Sequence, residues 1–304
     1  MTHVATVIAR PGKPLPDGIE RLAAANLLAA AAPAWLDPGL ALDIPFTPSG
    51  ETDDRMMADG LRAALHPALD GMPVDVVVQQ AAGRRKRLLL ADMDSTMIGQ
   101  ECIDELADFI GERARVAAIT ERAMRGEIEF APALRERVAV LAGLPAAVVD
   151  EVIAKRITLT QGGPTLVRTM RRHGAYACLV SGGFTVFTAK IGALIGFDDN
   201  RGNRLIVGDD GRFAGIVAEP ILGRDAKLET LRELREKLGL ARNDTLVVGD
   251  GANDLAMIGD AGLGVAFRAK PLVAQSAGVR IDHGDLTALL FAQGYRREEF
   301  VEGP

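Results

Sequence analysis

Asp92 and Asp94, in Asp92-Met93-Asp94-Ser95-Thr96, follow directly on the apolar run Leu88-Leu89-Leu90-Ala91. That puts two carboxylates at the C-terminal end of a strand, where open α/β sheets bind their ligands. Strand side chains alternate between two faces, so acids two apart share a side, and a turn there can aim both at one small substrate. One carboxylate can attack while the other handles a proton. Paired acids also cap helices, so the weight of this reading comes from three further segments.

Cys178-Leu179-Val180-Ser181-Gly182-Gly183 is again a buried strand running into small residues. A hydroxyl and backbone N–H groups left open by glycine can hold a phosphate oxygen, although the same residues also make ordinary turns. Lys227, in Gly223-Arg224-Asp225-Ala226-Lys227, starts a helix running through Leu238. A solvated lysine is the plain reading; a fixed ammonium would neutralise phosphate and nucleophile charge. Thr245-Leu246-Val247-Val248-Gly249-Asp250-Gly251-Ala252-Asn253-Asp254 ends a hydrophobic strand in two acids. Hard oxygen ligands at a strand end suit Mg²⁺, which binds one or two carboxylates and keeps waters and substrate phosphate. Helix capping by Asn253 or Asp254 is the alternative.

The elements that must hold these residues divide the chain in two. Before Arg84 the pattern reads β-α-β-α-β: Val4 to Ile8, a helix over Gly18 to Ala31, the alternation Leu40, Leu42, Ile44, Phe46, a helix over Asp53 to Leu69, and Val74 to Val78, with room for a short strand near Trp35. This suits a small α+β ferredoxin-like sheet with two helices on one face, predicted as domain 1–83. Ala81 to Arg87 breaks the periodicity and reads as an exposed linker. From Leu88 the strands Leu88 to Asp92, Tyr176 to Val180, Thr245 to Val248, Leu263 to Phe267 and Val279 to Ile281 alternate with amphipathic helices. That alternation implies a parallel sheet covered on both faces, domain 84–304. A crossover needs one helix, so the helical tract at about 100–160 reads as an inserted cap. Arg204 to Val207 and Arg212 to Val217 flank Gly208-Asp209-Asp210-Gly211 as a β-hairpin.

Composition narrows the partners. The chain has 304 residues, 48% of them hydrophobic, and a net charge of -6, with no face-sized basic block. Nucleic acid and anionic membranes are therefore not expected as partners, and an anionic substrate needs local cations or a metal. Cys102 and Cys178 are too few for a disulfide framework, and Met1-Thr2-His3-Val4 lacks the start of a signal peptide, so a cytoplasmic location is expected.

Taken in order, the four segments resemble the haloacid dehalogenase superfamily: D-x-D-x-T, a strand-end Ser, a Lys, and G-D-x-x-N-D. The resemblance runs from about Leu88 to the end of the chain. It implies a Rossmann-like core, Mg²⁺ as cofactor and an aspartyl-phosphate intermediate. Position by position, it makes Asp92 the nucleophile and Asp94 the acid that protonates the leaving alkoxide, then the base for water. Ser181 and the Gly182 N–H would hold the phosphoryl group, and Lys227 would link it to Asp92. Asp250 would ligate the metal beside Asp92 and the Asp94 main-chain carbonyl, with Asn253 completing the site and Asp254 behind the ligands. Related phosphoaspartyl pumps carry Thr in place of Asp94, so hydrolysis is implied here.

Met97 to Glu101, Met124-Arg125-Gly126-Glu127-Ile128-Glu129-Phe130 and Leu134 to Val138 narrow the resemblance to the phosphoserine phosphatases, which complete serine biosynthesis. In that family the position of Glu101 binds the substrate ammonium and that of Arg137 its carboxylate, which suits an amino-acid head group. Without the resemblance both read as surface charges, and Arg135 is an equal candidate. Met124 and Phe130 would wall the Cβ side of serine, or serve as cap core. Asp94 must be protonated in the first step, so its pKa is expected well above a free aspartate's. The N-terminal unit resembles ACT-like domains; a structural or homodimer-forming role stands beside serine sensing. The alternatives are another small phosphomonoester, phosphate transfer to an alcohol such as homoserine, and an amino-acid sensor with a vestigial catalytic region.

Overall fold

The computed structural model describes residues 1–29, 31–50, 53–124 and 127–302, apart from the side chains of Met124 and Arg224. It opens with β1 (His3–Ala9), α1 (Ile19–Asn26), β2 (Ala34–Asp37), β3 (Ala41–Phe46), α2 (Asp54–Leu65) and β4 (Val74–Gln80). The strands form one antiparallel sheet in the order β2-β3-β1-β4, the ferredoxin-like arrangement. Val7, Leu42, Ile44 and Val76 point to one face and pack with Ile19, Ala23, Leu61 and Leu65 of the two helices. Ile8, Ala41 and Val77 point to the other and join the larger core that follows. Both faces of this small sheet are therefore buried. The Asp53 carboxylate starts α2 by accepting the Arg55 and Met56 N–H groups. The first helix stops at Asn26, with Leu28 at φ 48°, short of the expected Ala31; residue 30 lies outside the described residues.

The stretch Ala81 to Arg87, expected as a solvated linker, is partly built into the fold. Lys86 is only 7% exposed, its ammonium donating to the Gly83 and Asn243 carbonyls at 2.9 and 2.8 Å. Arg84 pairs with Asp43 of β3 at 2.5 Å, and Arg85 lies over the Tyr295 ring at 4.1 Å. Composition suggested solvent because these residues are basic; the structure instead supplies partners for each of these three.

β5 (Leu88–Asp92) then starts the second sheet. A helical insert follows, made of α3 (Cys102–Phe109), α4 (Arg113–Met124), α5 (Phe130–Ala139) and α6 (Val148–Arg156). The chain returns through α7 (Gly163–Arg172), β6 (Tyr176–Phe184), α8 (Thr185–Ile195), β7 (Asp199–Asn203) and the hairpin β8 (Leu205–Val207) and β9 (Phe213–Val217). It ends with α9 (Arg224–Lys237), β10 (Thr245–Gly249), α10 (Leu255–Asp260), β11 (Leu263–Phe267), α11 (Pro271–Ser276), β12 (Val279–Ile281) and α12 (Ala288–Ala292). The sheet is parallel in the order β12-β11-β10-β5-β6-β7. Every residue of β5 and β10 is buried, as expected for central strands covered on both faces.

The chain builds outward from β5 through β6 to β7, then crosses back to β10 and builds the other way. That reversal opens a crevice at the carboxyl ends of β5 and β10, where an open α/β sheet accepts ligands. β7 escaped sequence reading because Asp-Asn-Arg-Gly-Asn has no apolar alternation; it is an edge strand paired on one side only. The hairpin is tied to the insert by hydrogen bonds from Gly143 N–H to Phe213 O (2.8 Å), Phe213 N–H to Leu144 O (2.9 Å) and Ala146 N–H to Gly211 O (2.9 Å). No helix among the described residues is long and apolar enough to cross a membrane.

Candidate active site

β5 delivers Asp92 to the crevice and the chain then turns sharply. Asp94 is extended (φ -66°, ψ 136°) and Ser95 left-handed (φ 56°, ψ 2°). A left-handed residue other than glycine costs on the order of 1 kcal/mol and persists only when its surroundings hold it. Here the Ser95 hydroxyl donates to Glu101 Oε1 at 2.8 Å. The turn keeps Asp94 on the same side as Asp92, beside the strand-end loop after β6: a Cβ added to Gly183 would lie 3.1 Å from Ser181 Oγ and 3.2 Å from Asp94 Oδ2. Ser181 is buried and its oxygen accepts the Gly183 N–H at 2.9 Å.

The neighbouring strand β10 brings Asp250, which accepts the Thr96 hydroxyl at 3.2 Å. The chain then turns back so that Asp254 is buried against Gly249, where any Cβ would collide with the Asp254 carboxyl. Lys227, in the first turn of α9, is 1% exposed. Its ammonium sits 2.7 Å from Asp92 Oδ1 and 2.7 Å from Asp254 Oδ1. Asp254 Oδ2 in turn accepts the Gly251 N–H at 3.0 Å.

Among the described residues this cluster holds one buried cation against four buried or nearly buried acids, and its protonation reflects the imbalance. Burial pushes the Asp92 carboxyl well up; Lys227 opposes that, while Asp254 and Asp94 add to it. Burial also works against the Lys227 ammonium, yet Asp92 and Asp254 outweigh it and hold its pKa above the ordinary value. Asp250 is raised by burial and by Asp254. Asp94 is pushed up to about 7, by burial first and then by the Glu101 charge, against the pull of the Cys102 thiol and N–H that face it. Asp94 Oδ1 is buried without a hydrogen-bond partner among the described residues.

One oxygen each from Asp92, Asp250 and Asp254 lies within 4.8 Å of the others. Such an all-carboxylate set, with unneutralised negative charge, fits a hard divalent cation. Asp254 is already committed to Lys227 and the Gly251 amide, so Asp92 and Asp250 are the better donors.

The residues expected to read a substrate head group lie at the mouth. Glu101 is exposed, and its charge is felt by Asp94 and Asp250. Arg137, on the insert helix α5, is half-buried; burial lowers its pKa while the facing Asp104 and Glu101 oppose that. Its own hydrogen bonds are long, 3.4 Å to Ala133 O and 3.5 Å to Thr120 Oγ1. Arg135 is exposed and pairs with Glu219 at 2.5 Å. Phe130 is 44% exposed, too open for cap core, and its ring lies 3.7 Å from where Cβ atoms of Gly182 and Gly223 would be. Asn253 is exposed beside Gly251. The side chain of Met124 and residues 125–126 lie outside the described residues. Sequence reading assigned no role to Cys102, Ser95 or Thr96; the last two stand inside the acid motif, whereas nothing in the helical spacing marks Cys102.

A capped, doubly wound sheet that gathers carboxylates and a buried lysine at its topological switch defines an α/β fold with a charged ligand crevice. The chain belongs to the haloacid dehalogenase-like hydrolase family, whose profile matches residues 89–258. Phosphoserine phosphatase SerB2 of Mycobacterium tuberculosis is 43% identical over 228 residues, which are 74% of this chain and 55% of that protein. The phosphoserine phosphatase of a Polaromonas species is 43% identical over 224 residues, 72% of this chain and 95% of that protein. The chain thus spans little more than half of the first relative and nearly all of the second. The crystal structure of a probable phosphoserine phosphatase from Vibrio cholerae superposes with a TM-score of 0.75 at 27% identity, covering 98% of this chain and 88% of that one.

Proposed function

We propose that the chain hydrolyses L-phosphoserine to L-serine and phosphate through an aspartyl-phosphate on Asp92. The observation that carries this reading is geometric: burial raises both neighbouring acids, but among the described residues only Asp92 meets a cation at contact distance that can hold it as a carboxylate. Asp92 is clamped by Lys227 at 2.7 Å. Asp94 lacks any such cation at contact distance among the described residues and stays protonated up to about 7. An Asp92 oxygen attacks phosphorus, the bond from phosphorus to the serine oxygen breaks, and Asp94 gives its proton to the departing alkoxide. Asp94, now a carboxylate, takes a proton from water as the water oxygen attacks the phosphoenzyme, which returns Asp92 and releases phosphate. Ser181 and the Gly182 N–H hold phosphoryl oxygens, and Lys227 bridges them to Asp92. Mg²⁺ held by Asp92, Asp250 and the Asp94 main-chain carbonyl would cancel the charge that otherwise repels a phosphate dianion from Asp92. Glu101 would accept from the ammonium and Arg137 would fork onto the carboxylate, with Phe130 closing over the glycine backbone; the relatives' names support this head group.

The reading takes residues 1–83 as an ACT-like domain and 84–304 as the catalytic domain, with the cap at about 100–160. Burial of the second face of the N-terminal sheet against the catalytic core supports a structural role for the first domain.

The test is Mg²⁺-dependent phosphate release from L-phosphoserine beside phosphothreonine, phosphoethanolamine and 3-phosphoglycerate. Strong preference for L-phosphoserine is expected, because the last two each lack one head-group charge. Equal rates on all four would remove the assigned roles of Glu101 and Arg137.

A further inference from the structure

Asn203 ends β7, the polar edge strand, yet its side chain is almost fully buried at 2% exposure. Its amide nitrogen donates to Gly182 O at 2.8 Å and to Leu222 O at 3.1 Å, and its amide oxygen accepts the Leu222 N–H at 2.7 Å. One side chain thus joins two backbone segments remote from each other: the loop after Ser181, and the lead into α9, five residues before Lys227. The close approach depends on Gly202, where a Cβ would lie 3.2 Å from Gly183 O and 3.3 Å from Thr185 N.

The bond to Gly182 O reaches further than its own partner. Gly182 C=O and Gly183 N–H belong to the same planar peptide unit and point in opposite directions. On one side that unit is held by Asn203; on the other its N–H donates to Ser181 Oγ at 2.9 Å. A hydroxyl has one proton and two lone pairs. With one lone pair filled by the Gly183 N–H, the Ser181 proton is left to be donated to a phosphoryl oxygen. Two consecutive glycines resist rotation of this peptide poorly, because neither has a Cβ to hinder it. A rotated peptide would withdraw the N–H and leave the serine proton without a fixed direction.

We propose that Asn203 is a positioning residue: it locks the 182–183 peptide so that the Ser181 hydroxyl serves as a donor to the transferring phosphoryl group, and it keeps that loop in register with the segment carrying Lys227. This inference rests on the phosphoryl-transfer reading above.

The test is a double-mutant cycle of Asn203→Asp and Ser181→Ala on L-phosphoserine and p-nitrophenyl phosphate. The carboxylate introduced by Asn203→Asp is nearly isosteric with the amide but sets an oxygen against two carbonyl oxygens. Expected is a fall in kcat of about 10- to 100-fold with KM nearly unchanged, since the donor matters most as charge develops. In the Ser181→Ala background the same substitution should cost less than about 3-fold, because two residues acting as one unit do not add. An Asn203→Asp loss that is equal in both backgrounds, or a variant with wild-type kcat, would overturn the proposal. Asn203→Ala replaces Asn203→Asp in the cycle if circular dichroism shows that the latter does not fold. Wild-type activity on p-nitrophenyl phosphate alone would refute the substrate assignment and leave the cycle readable. If the wild type turns over neither ester, the same cycle is read as calorimetric affinity for inorganic phosphate, where an additive loss again refutes the role of Asn203.

Discussion

On the proposed mechanism, replacing Asp94 by Asn removes the proton carrier while keeping its shape, so the damage should depend on how badly the leaving group needs a proton. A serine alkoxide needs one; p-nitrophenolate leaves without it. Positioned general acids contribute about 10²- to 10⁴-fold, and that loss is expected in the single-turnover rate of phosphoenzyme formation from L-phosphoserine. With p-nitrophenyl phosphate, the Asp94→Asn enzyme should still give a burst of p-nitrophenol, within about 10-fold of the wild-type rate, and then stall for want of a base to activate water. The pH dependence follows from the same group. Asp94 carries its proton up to about 7 because burial and Glu101 oppose its charge. The productive acid is present below that value and is lost above it, leaving about one site in ten protonated a pH unit higher. In the wild type, phosphoenzyme formation from L-phosphoserine should therefore fall with rising pH while the p-nitrophenyl phosphate burst stays flat. A divalent cation bound beside Asp92 stabilises the carboxylate and moves the limb to lower pH without changing its sign. Stopped-flow absorbance and quenched-flow phosphoenzyme trapping read both quantities. Equal slowing of both substrates in the variant, or identical pH profiles for them in the wild type, would refute the role of Asp94.

Three further outcomes are expected. Lys227→Met leaves Asp92 and Asp254 buried without their shared cation, at a cost of about 3–5 kcal/mol in urea denaturation at neutral pH that shrinks as the carboxylates protonate in acid; an unchanged midpoint would show that the ammonium is not what holds them. Arg137→Lys should raise KM for L-phosphoserine but not for p-nitrophenyl phosphate, since an ammonium cannot replace the planar fork, whereas Arg135→Lys should leave both near wild type because Arg135 faces Glu219. Asp75→Ala removes a carboxylate that accepts the N–H groups of Asp282, His283 and Gly284, so docking of the N-terminal sheet should weaken by about 2–3 kcal/mol, seen as faster proteolysis between residues 81 and 87.

Much of the site could be read from strand ends. Leu88 to Asp92 and Thr245 to Gly249 are apolar runs that stop at acids, and a run buried on both faces is what a central parallel strand requires. β7 was invisible for the opposite reason: an edge strand carrying Asp199, Asn200 and Arg201 is held by its backbone pairing to β6, which leaves no side-chain period. Ala81 to Arg87 is exposed in large part, as expected, but a basic residue looks solvated until its acceptors are known, and those of the buried Lys86 include Asn243 O, 157 positions away. Asn203, one residue before the predicted hairpin strand, shows its task only through contacts with Gly182 and Leu222.

The choice between Arg135 and Arg137 marks the division. Two residues apart on a helix lie about 200° around its axis, so one of the pair must turn away from whatever the other faces. Sequence spacing states that difference but not which face of α5 meets the crevice. The kinds of chemistry available, two acids, a lysine, a serine and hard oxygen donors at strand ends, were determined by the sequence itself, because burial pattern and residue type are local properties. Their distances, the raised pKa of Asp94, the shared proton donor between Asp92 and Asp254, and the burial of the N-terminal sheet on the catalytic core were decided only by the tertiary structure. Each depends on groups far apart in the chain being brought into one poorly solvated space, where charge and hydrogen bonds no longer compete with water.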